Sequence, residues 1–237
     1  MGNKKFLESM ADVLGVFAIK INNLRYIKVI KNAFAALIPV IITGAFGTLF
    51  SAMVFDSTNG LAKIPGLGFL ASLKPISSAV SYVTLSFLTI YAVFLIGIEL
   101  AKLNRKEGVF PGIIAVMSYL SVNPTTFPFT QGETVIAIPN VLAKQYTDTK
   151  GLFLGMFIAI VSIELYCLLE RQEKLQIKMP DTVPSNVARS FSSLIPTILT
   201  VSIISSTAFL IKSLTGMELY DIIYNSVQKP LENVVQG

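Results

Sequence analysis

The chain has 237 residues, 53% hydrophobic and 14% charged, with a mean hydropathy of +0.67, a balance that excludes an ordinary soluble domain and points to an all-α integral membrane protein in a lipid bilayer. A formal charge of +5 does not indicate a nucleic-acid partner, because Lys and Arg lie between apolar blocks instead of along one face. With no His and only Cys167, the sequence offers no internal disulfide, no metal cluster, no cofactor motif and no catalytic residue.

In chain order, residues 1–32 form a polar, basic leader expected on the cytoplasmic side. Phe6, Leu7, Met10, Val13, Leu14, Phe17 and Ile21 recur at helical spacing, which predicts an amphipathic interfacial helix with cations for anionic headgroups. No cleavable signal precedes the first long apolar run, so that run is expected to insert and remain.

Ala33 to Phe55 is uncharged and long enough to cross about 30 Å of hydrocarbon at about 1.5 Å per residue. Its Pro39, Gly44 and Gly47 suit a bundle in which backbones approach closely. Ala79 to Ala101, Gly151 to Leu169 and Leu194 to Leu214 are further spans, the first carrying Glu99 and the second Glu164. Val109 to Val122 is shorter than a straight span needs and is either a crossing or a re-entrant segment. Between these lies a polar loop, Asn123 to Lys150, whose TVIAIP run reads as a strand or extended chain. Leu219, Ile223, Val227 and Leu231 predict a second amphipathic segment, interrupted at Pro230.

Charge decides the doubtful crossing. If Val109 to Val122 crosses, residues 1–32, 102–108 and 170–193 share one side, with six, three and four of the nineteen Lys and Arg. If it does not, the four cations of the 170–193 loop change sides and the positive-inside bias nearly disappears. The expectation is therefore about five spans, in a multi-pass cell-membrane protein with a cytoplasmic N-terminus. The corresponding regions are a leader at 1–32, a transmembrane scaffold and dimerisation region at 33–214, and an amphipathic connector at 215–237.

GLFLGMFIAIVSIELYCLL, a basic linker and then KMPDTVPSNVARSFSSLIP resemble the lactose/cellobiose family of sugar phosphotransferase permeases, the IIC component. Upstream, LGVFAIKINNLRYIKVIKNAF followed by ALIPVIITGAFGTLF is similar to that family's leader and first membrane helix. The MPDTVPSNVARSF segment is the more specific part, since a generic connecting loop does not require its prolines and polar residues. The resemblance implies a bacterial permease that imports a β-glucoside or β-galactoside disaccharide such as cellobiose, chitobiose or lactose. Import is coupled to phosphorylation by a IIB partner, itself supplied by IIA. Members are close to twice this length, and their sugar site lies in the C-terminal half, bounded by hairpins, a His and a Glu. This chain therefore resembles the N-terminal scaffold half, implied to be a homodimer and to be inactive in transport or phosphorylation by itself. The alternative is a non-transport membrane regulator or assembly protein.

The polar exceptions each carry two readings. Cys167 sits in apolar ELYCLLE, with no anion-binding loop beside it, so packing is favoured over a phosphocarrier role. Glu164, about one and a half turns inside its helix end, is a functional candidate by default, but a bond to a neighbouring helix explains it in a scaffold. Glu99 is within reach of Lys102 or Arg105 at the boundary. Arg189 is the candidate partner contact, through bidentate bonds to a phosphorylated group, against simple positive-inside anchoring. Tyr82, Tyr91, Tyr119, Tyr146 and Tyr166 fit a membrane interface before they fit sugar stacking.

Overall fold

The structure is a computed structural model that describes residues 24–106, 108–131, 134–180 and 182–230. The predicted leader helix from Phe6 to Ile21 and the repeat position Leu231 lie outside the described residues. The first helix, α1 (Arg25–Leu49), begins within the basic leader and ends in a π-helical turn, Phe50–Val54. Hydropathy alone places the start at Ala33, but Arg25 and Asn32 find polar partners on other elements, so the helix continues beyond its apolar part.

Among the described residues, four stretches are long and apolar enough to cross a membrane: Arg25–Val54, Gly68–Leu103, Thr149–Glu170 and Ser190–Thr215. The second divides into α2 (Lys74–Leu85) and α3 (Leu88–Leu103), broken at Ser86 and Phe87. The shorter helix is α4 (Phe110–Ser121). A hairpin follows, β1 (Thr126–Gln131) paired antiparallel with β2 (Thr134–Pro139), so the TVIAIP run is a strand. Its register places Phe127 opposite Ile138 and Phe129 opposite Ile136 on one face. Beyond it come α5 (Lys144–Thr147), α6 (Leu152–Glu170), α7 (Ser185–Ser192), α8 (Leu194–Thr215) and α9 (Leu219–Ile223).

Polar ties show that α4 traverses the bundle. Lys106, just before it, pairs with Glu170 at the last turn of α6 (3.0 Å). Tyr119, near its other end, donates its hydroxyl to the Tyr146 carbonyl (2.5 Å), just ahead of the start of α6. A helix of about 18 Å thus covers much of the length of the antiparallel α6, and the flanking turns supply the remainder. Its buried face, Ile114, Ala115, Ser118 and Tyr119, is fully enclosed, so neighbouring helices shield it from lipid.

The core joins Val93, Ile96 and Leu100 of α3, Ile114 and Tyr119 of α4, Leu154, Ile158 and Ile163 of α6, and Ile204 of α8. Close approach depends on small residues: a Cβ at Gly97 would meet the Pro111 carbonyl at 2.9 Å, and one at Gly47 the Ser77 carbonyl at 2.9 Å. Hydroxyls inside apolar helices bond to their own backbone, as Thr197 does to Ser193 O and Thr200 to Pro196 O. Gly216, at φ 72°, closes α8 in the left-handed region, its amide bonded to Lys212 O (2.8 Å).

The segment after α1 is fastened by Asp56. Its carboxylate accepts from the Thr58 and Asn59 amides (2.9 Å each) and pairs with Lys74 (2.7 Å), tying the exit of α1 to the entry of α2. The Lys74 ammonium foremost, then Thr58 and the backbone amides, hold the Asp56 carboxyl well below its ordinary range. Because the folded pKa is depressed, this contribution is complete above the unfolded carboxylate pKa of about 3.9 and is lost as pH falls through the lower folded value. The protection factors of the Thr58 and Asn59 amides, exchange relative to the unstructured rate at the same pH, should therefore persist at pH 4 and fall only on further acidification. Asp56→Asn should remove that acid-dependent step; its persistence in the variant would contradict the assignment.

Candidate functional site

The basic segments converge at one end of the bundle. α1 starts there with Arg25, α3 ends at Leu103, α4 begins at Phe110, α6 ends at Glu170, and α8 starts after Ser193. Arg25 bridges three elements, its guanidinium reaching Glu164 at 2.9 Å and donating to Asn104 Oδ1 at 2.8 Å. Glu99 pairs with Lys102 at 2.6 Å and accepts from Asn32 at 3.3 Å. These partners explain how carboxylates near the ends of apolar helices remain compatible with their surroundings.

Between the turn after α3 and the segment joining α6 to α8 lies a cleft of about 500 Å³. Arg105 and Lys106 form one side, Phe110 and Tyr166 supply aromatic surface, and Glu170 and Ser193 contribute acceptors. Arg105 has φ 60°, unusual for a residue with a Cβ, and directly follows the helix-ending Asn104. Among the described residues no ion pair engages its guanidinium, whereas Lys106 is paired with Glu170. Gln176 Nε2 donates to the Glu170 carbonyl (2.7 Å), and Ser193 Oγ donates to Ser190 O (3.0 Å). The cleft can therefore attract one anionic group while presenting acceptors to hydroxyls.

Glu164 faces Arg25 of α1, and Cys167 is buried at 2% exposure, matching its packing role. Arg189 lies on α7; its side chain falls outside the described atoms. Tyr82 and Tyr91 are exposed. Tyr119, Tyr146 and Tyr166 are all buried in the core and unavailable to stack on a ligand, although Tyr166 also borders the cleft. Arg105 was identifiable in sequence only as a topogenic cation or a partner for Glu99, which pairs with Lys102 instead; its place beside the cleft depends on a left-handed turn and on a loop distant along the chain.

No potential metal site of three or more His, Cys, Asp or Glu exists among the described residues. Residues 31–228 match the family described as "Phosphotransferase system, EIIC". The chain is 34% identical over 230 residues to the oligo-beta-mannoside-specific EIIC component of Bacillus subtilis (strain 168), covering 97% of this chain and 50% of that protein. It is 28% identical over 232 residues to the cellobiose-specific EIIC component of Geobacillus stearothermophilus, covering 96% and 50% respectively. The crystal structure of ChbC, the IIC component of an N,N'-diacetylchitobiose-specific phosphotransferase system, superimposes with a TM-score of 0.80 at 27% identity. That match covers 95% of this chain and 51% of ChbC. The chain thus spans about half the length of the curated relatives it matches.

Proposed function

The chain belongs to the EIIC family of the phosphotransferase system, a multi-pass membrane family, and from that premise we propose that it forms the N-terminal scaffold of a sugar permease. The carried sugar is a β-linked disaccharide, and its import is coupled to phosphorylation by a IIB partner charged by IIA. The observation that carries this reading is the match along residues 31–228 joined to the likeness with ChbC. The relatives' printed names, with cellobiose, oligo-β-mannoside and diacetylchitobiose among them, support the substrate class.

In this reading the sugar-gripping residues belong to the part of the relatives that the chain does not match. The described helices act as a frame, and residues 33–214 supply the contact between two copies. The amphipathic segment after Gly216 leads towards the transport half, with Leu219 and Tyr220 seated in the core as its anchor. Glu164 serves the frame through Arg25, not the chemistry, and Arg189 meets the phosphorylated partner.

Sidedness follows from the cations. The end carrying Arg25, Arg105, Lys106 and Arg171 faces the cytoplasm, because basic residues flanking spans are retained there. Substituting Lys150 and Lys178 by cysteine one at a time in a Cys167→Ala background tests this with an impermeant maleimide. Lys150→Cys should label from outside intact cells and Lys178→Cys only in inverted vesicles; labelling of both from one face would overturn the topology. The transport reading is tested by phosphoenolpyruvate-dependent disaccharide uptake through the permease containing this chain. Uptake should disappear when IIB is removed; uptake that persists without IIB contradicts it.

A further inference from the structure

Lys106 and Glu170 tie helices together in the cleft beside Arg105, but Arg105 takes part in no ion pair among the described residues. We propose that this cleft is a binding site for a phosphorylated sugar, apart from the site that carries the sugar across the membrane. Such a ligand is the chemical form in which the permease delivers its cargo, so the relevance of the site rests on the function proposed above and on the cytoplasmic placement of this end.

Four observations support the proposal. The volume, about 500 Å³, lies within the roughly 300–1,000 Å³ of small-molecule sites. Lys106 is already neutralised by Glu170, leaving Arg105 as the cleft cation without an ion pair among the described residues. One guanidinium suits a single phosphomonoester, which it can clasp with two parallel hydrogen bonds. Arg105 is also held in the left-handed region, a conformation of a non-glycine residue that fixes where its side chain departs.

The remaining walls fit the sugar portion. Phe110, 40% exposed, offers apolar surface to the C–H face of a pyranose. The Glu170 carboxylate and the Ser193 hydroxyl oxygen retain lone pairs for ring hydroxyls, since Ser193 uses its proton on Ser190 O. A nucleic acid or a polyphosphate would require several free cations. An unphosphorylated sugar would leave Arg105 unanswered.

Isothermal titration of the purified, detergent-solubilised chain with glucose 6-phosphate, glucose and inorganic phosphate tests the proposal. Glucose 6-phosphate should bind saturably and about tenfold or more tightly than either fragment alone. Arg105→Ala should lower that affinity about tenfold or more, and Arg105→Lys should restore only part of it. Glu170→Gln frees Lys106, so it should strengthen binding of inorganic phosphate while leaving glucose no tighter. Thermal melting of each variant establishes that it remains folded.

No saturable binding, equal binding of phosphate and glucose 6-phosphate, or an undiminished Arg105→Ala would each overturn the proposal. A phosphocysteine-containing peptide that binds more tightly than glucose 6-phosphate would overturn it in favour of a protein partner. Sidedness fails separately: saturable binding together with outside-only maleimide labelling of Arg105→Cys would retain the site and refute the cytoplasmic assignment.

Discussion

Gly97→Val should lower the unfolding free energy of the detergent-solubilised chain by about 3 kcal/mol, the upper part of the range for overpacking a close crossing. Gly97 of α3 faces Gly112 of α4, where the backbones nearly touch. A Cβ at position 97 would stand 2.8 Å from the Ala115 Cβ, 2.9 Å from the Pro111 carbonyl oxygen and 3.0 Å from the Gly112 Cα. None of these is the end of a flexible side chain, so strain can be relieved only by separating the helices. Separation would also loosen Ile96, Leu100 and Ile114, all completely buried. Gly68→Ala is the control, since a Cβ added there would have no neighbouring atom within 4 Å; its effect should stay within about 0.5 kcal/mol. Equal denaturation midpoints for Gly97→Val and the parent chain would show that the crossing is not tightly packed in detergent.

The consequence reaches beyond stability. α3 and α4 are joined by the turn that carries Arg105 and Lys106, and α4 packs against α6, whose last turn supplies Glu170. Displacing α4 moves two walls of the cation-rich cleft together. Gly97→Val should therefore also weaken the Lys106–Glu170 tie, since the backbone it presses on, at Pro111, lines the same cleft.

Apolar length made most of the long helices legible. Ala33 to Phe55 runs one residue past its helix, and Gly151 to Leu169 and Leu194 to Leu214 fall within observed helices, because a predominantly apolar run must be helical to satisfy its backbone in hydrocarbon. For Val109 to Val122 length alone was indecisive and loop charge favoured a crossing; its helix lies alongside α6, tied by Lys106–Glu170 near one end and Tyr119–Tyr146 at the other. Helix ends were harder: α1 extends back to Arg25 because Glu164 and Asn104 receive it, and those partners are remote in sequence. The Ser86–Phe87 break lies inside an apolar run with neither Pro nor Gly to mark it. The cleft was the least legible feature, since the turn after Leu103 and the segment from Glu170 to Ser193 meet only after the helices pack.

Tyr119 carries the second large prediction. Its side chain is completely buried where α4 ends, with its hydroxyl donated to Tyr146 O at 2.5 Å. Asn123 Nδ2 donates to the Tyr119 carbonyl at 2.7 Å, closing the same end of the helix. A Cβ at Gly151 would lie 2.5 Å from the Tyr119 hydroxyl, so the phenol fills the space where the polar loop turns into α6. Tyr119→Ala should cost about 3–5 kcal/mol through the cavity left by the ring. Tyr119→Phe keeps the ring and deprives the Tyr146 carbonyl of its donor, at a cost of about 1–3 kcal/mol. The two should also differ in the loop: Tyr146 stands edge-on to Tyr220 with centroids 5.0 Å apart, coupling this anchor to the segment after α8. Hydrogen exchange should therefore rise at residues 143–151 and 219–224 in Tyr119→Ala, and mainly around Tyr146 in Tyr119→Phe. Exchange unchanged at 219–224 in Tyr119→Ala would mean that the anchor and that segment are independent, and that something other than the Tyr146–Tyr220 contact seats the segment on the frame.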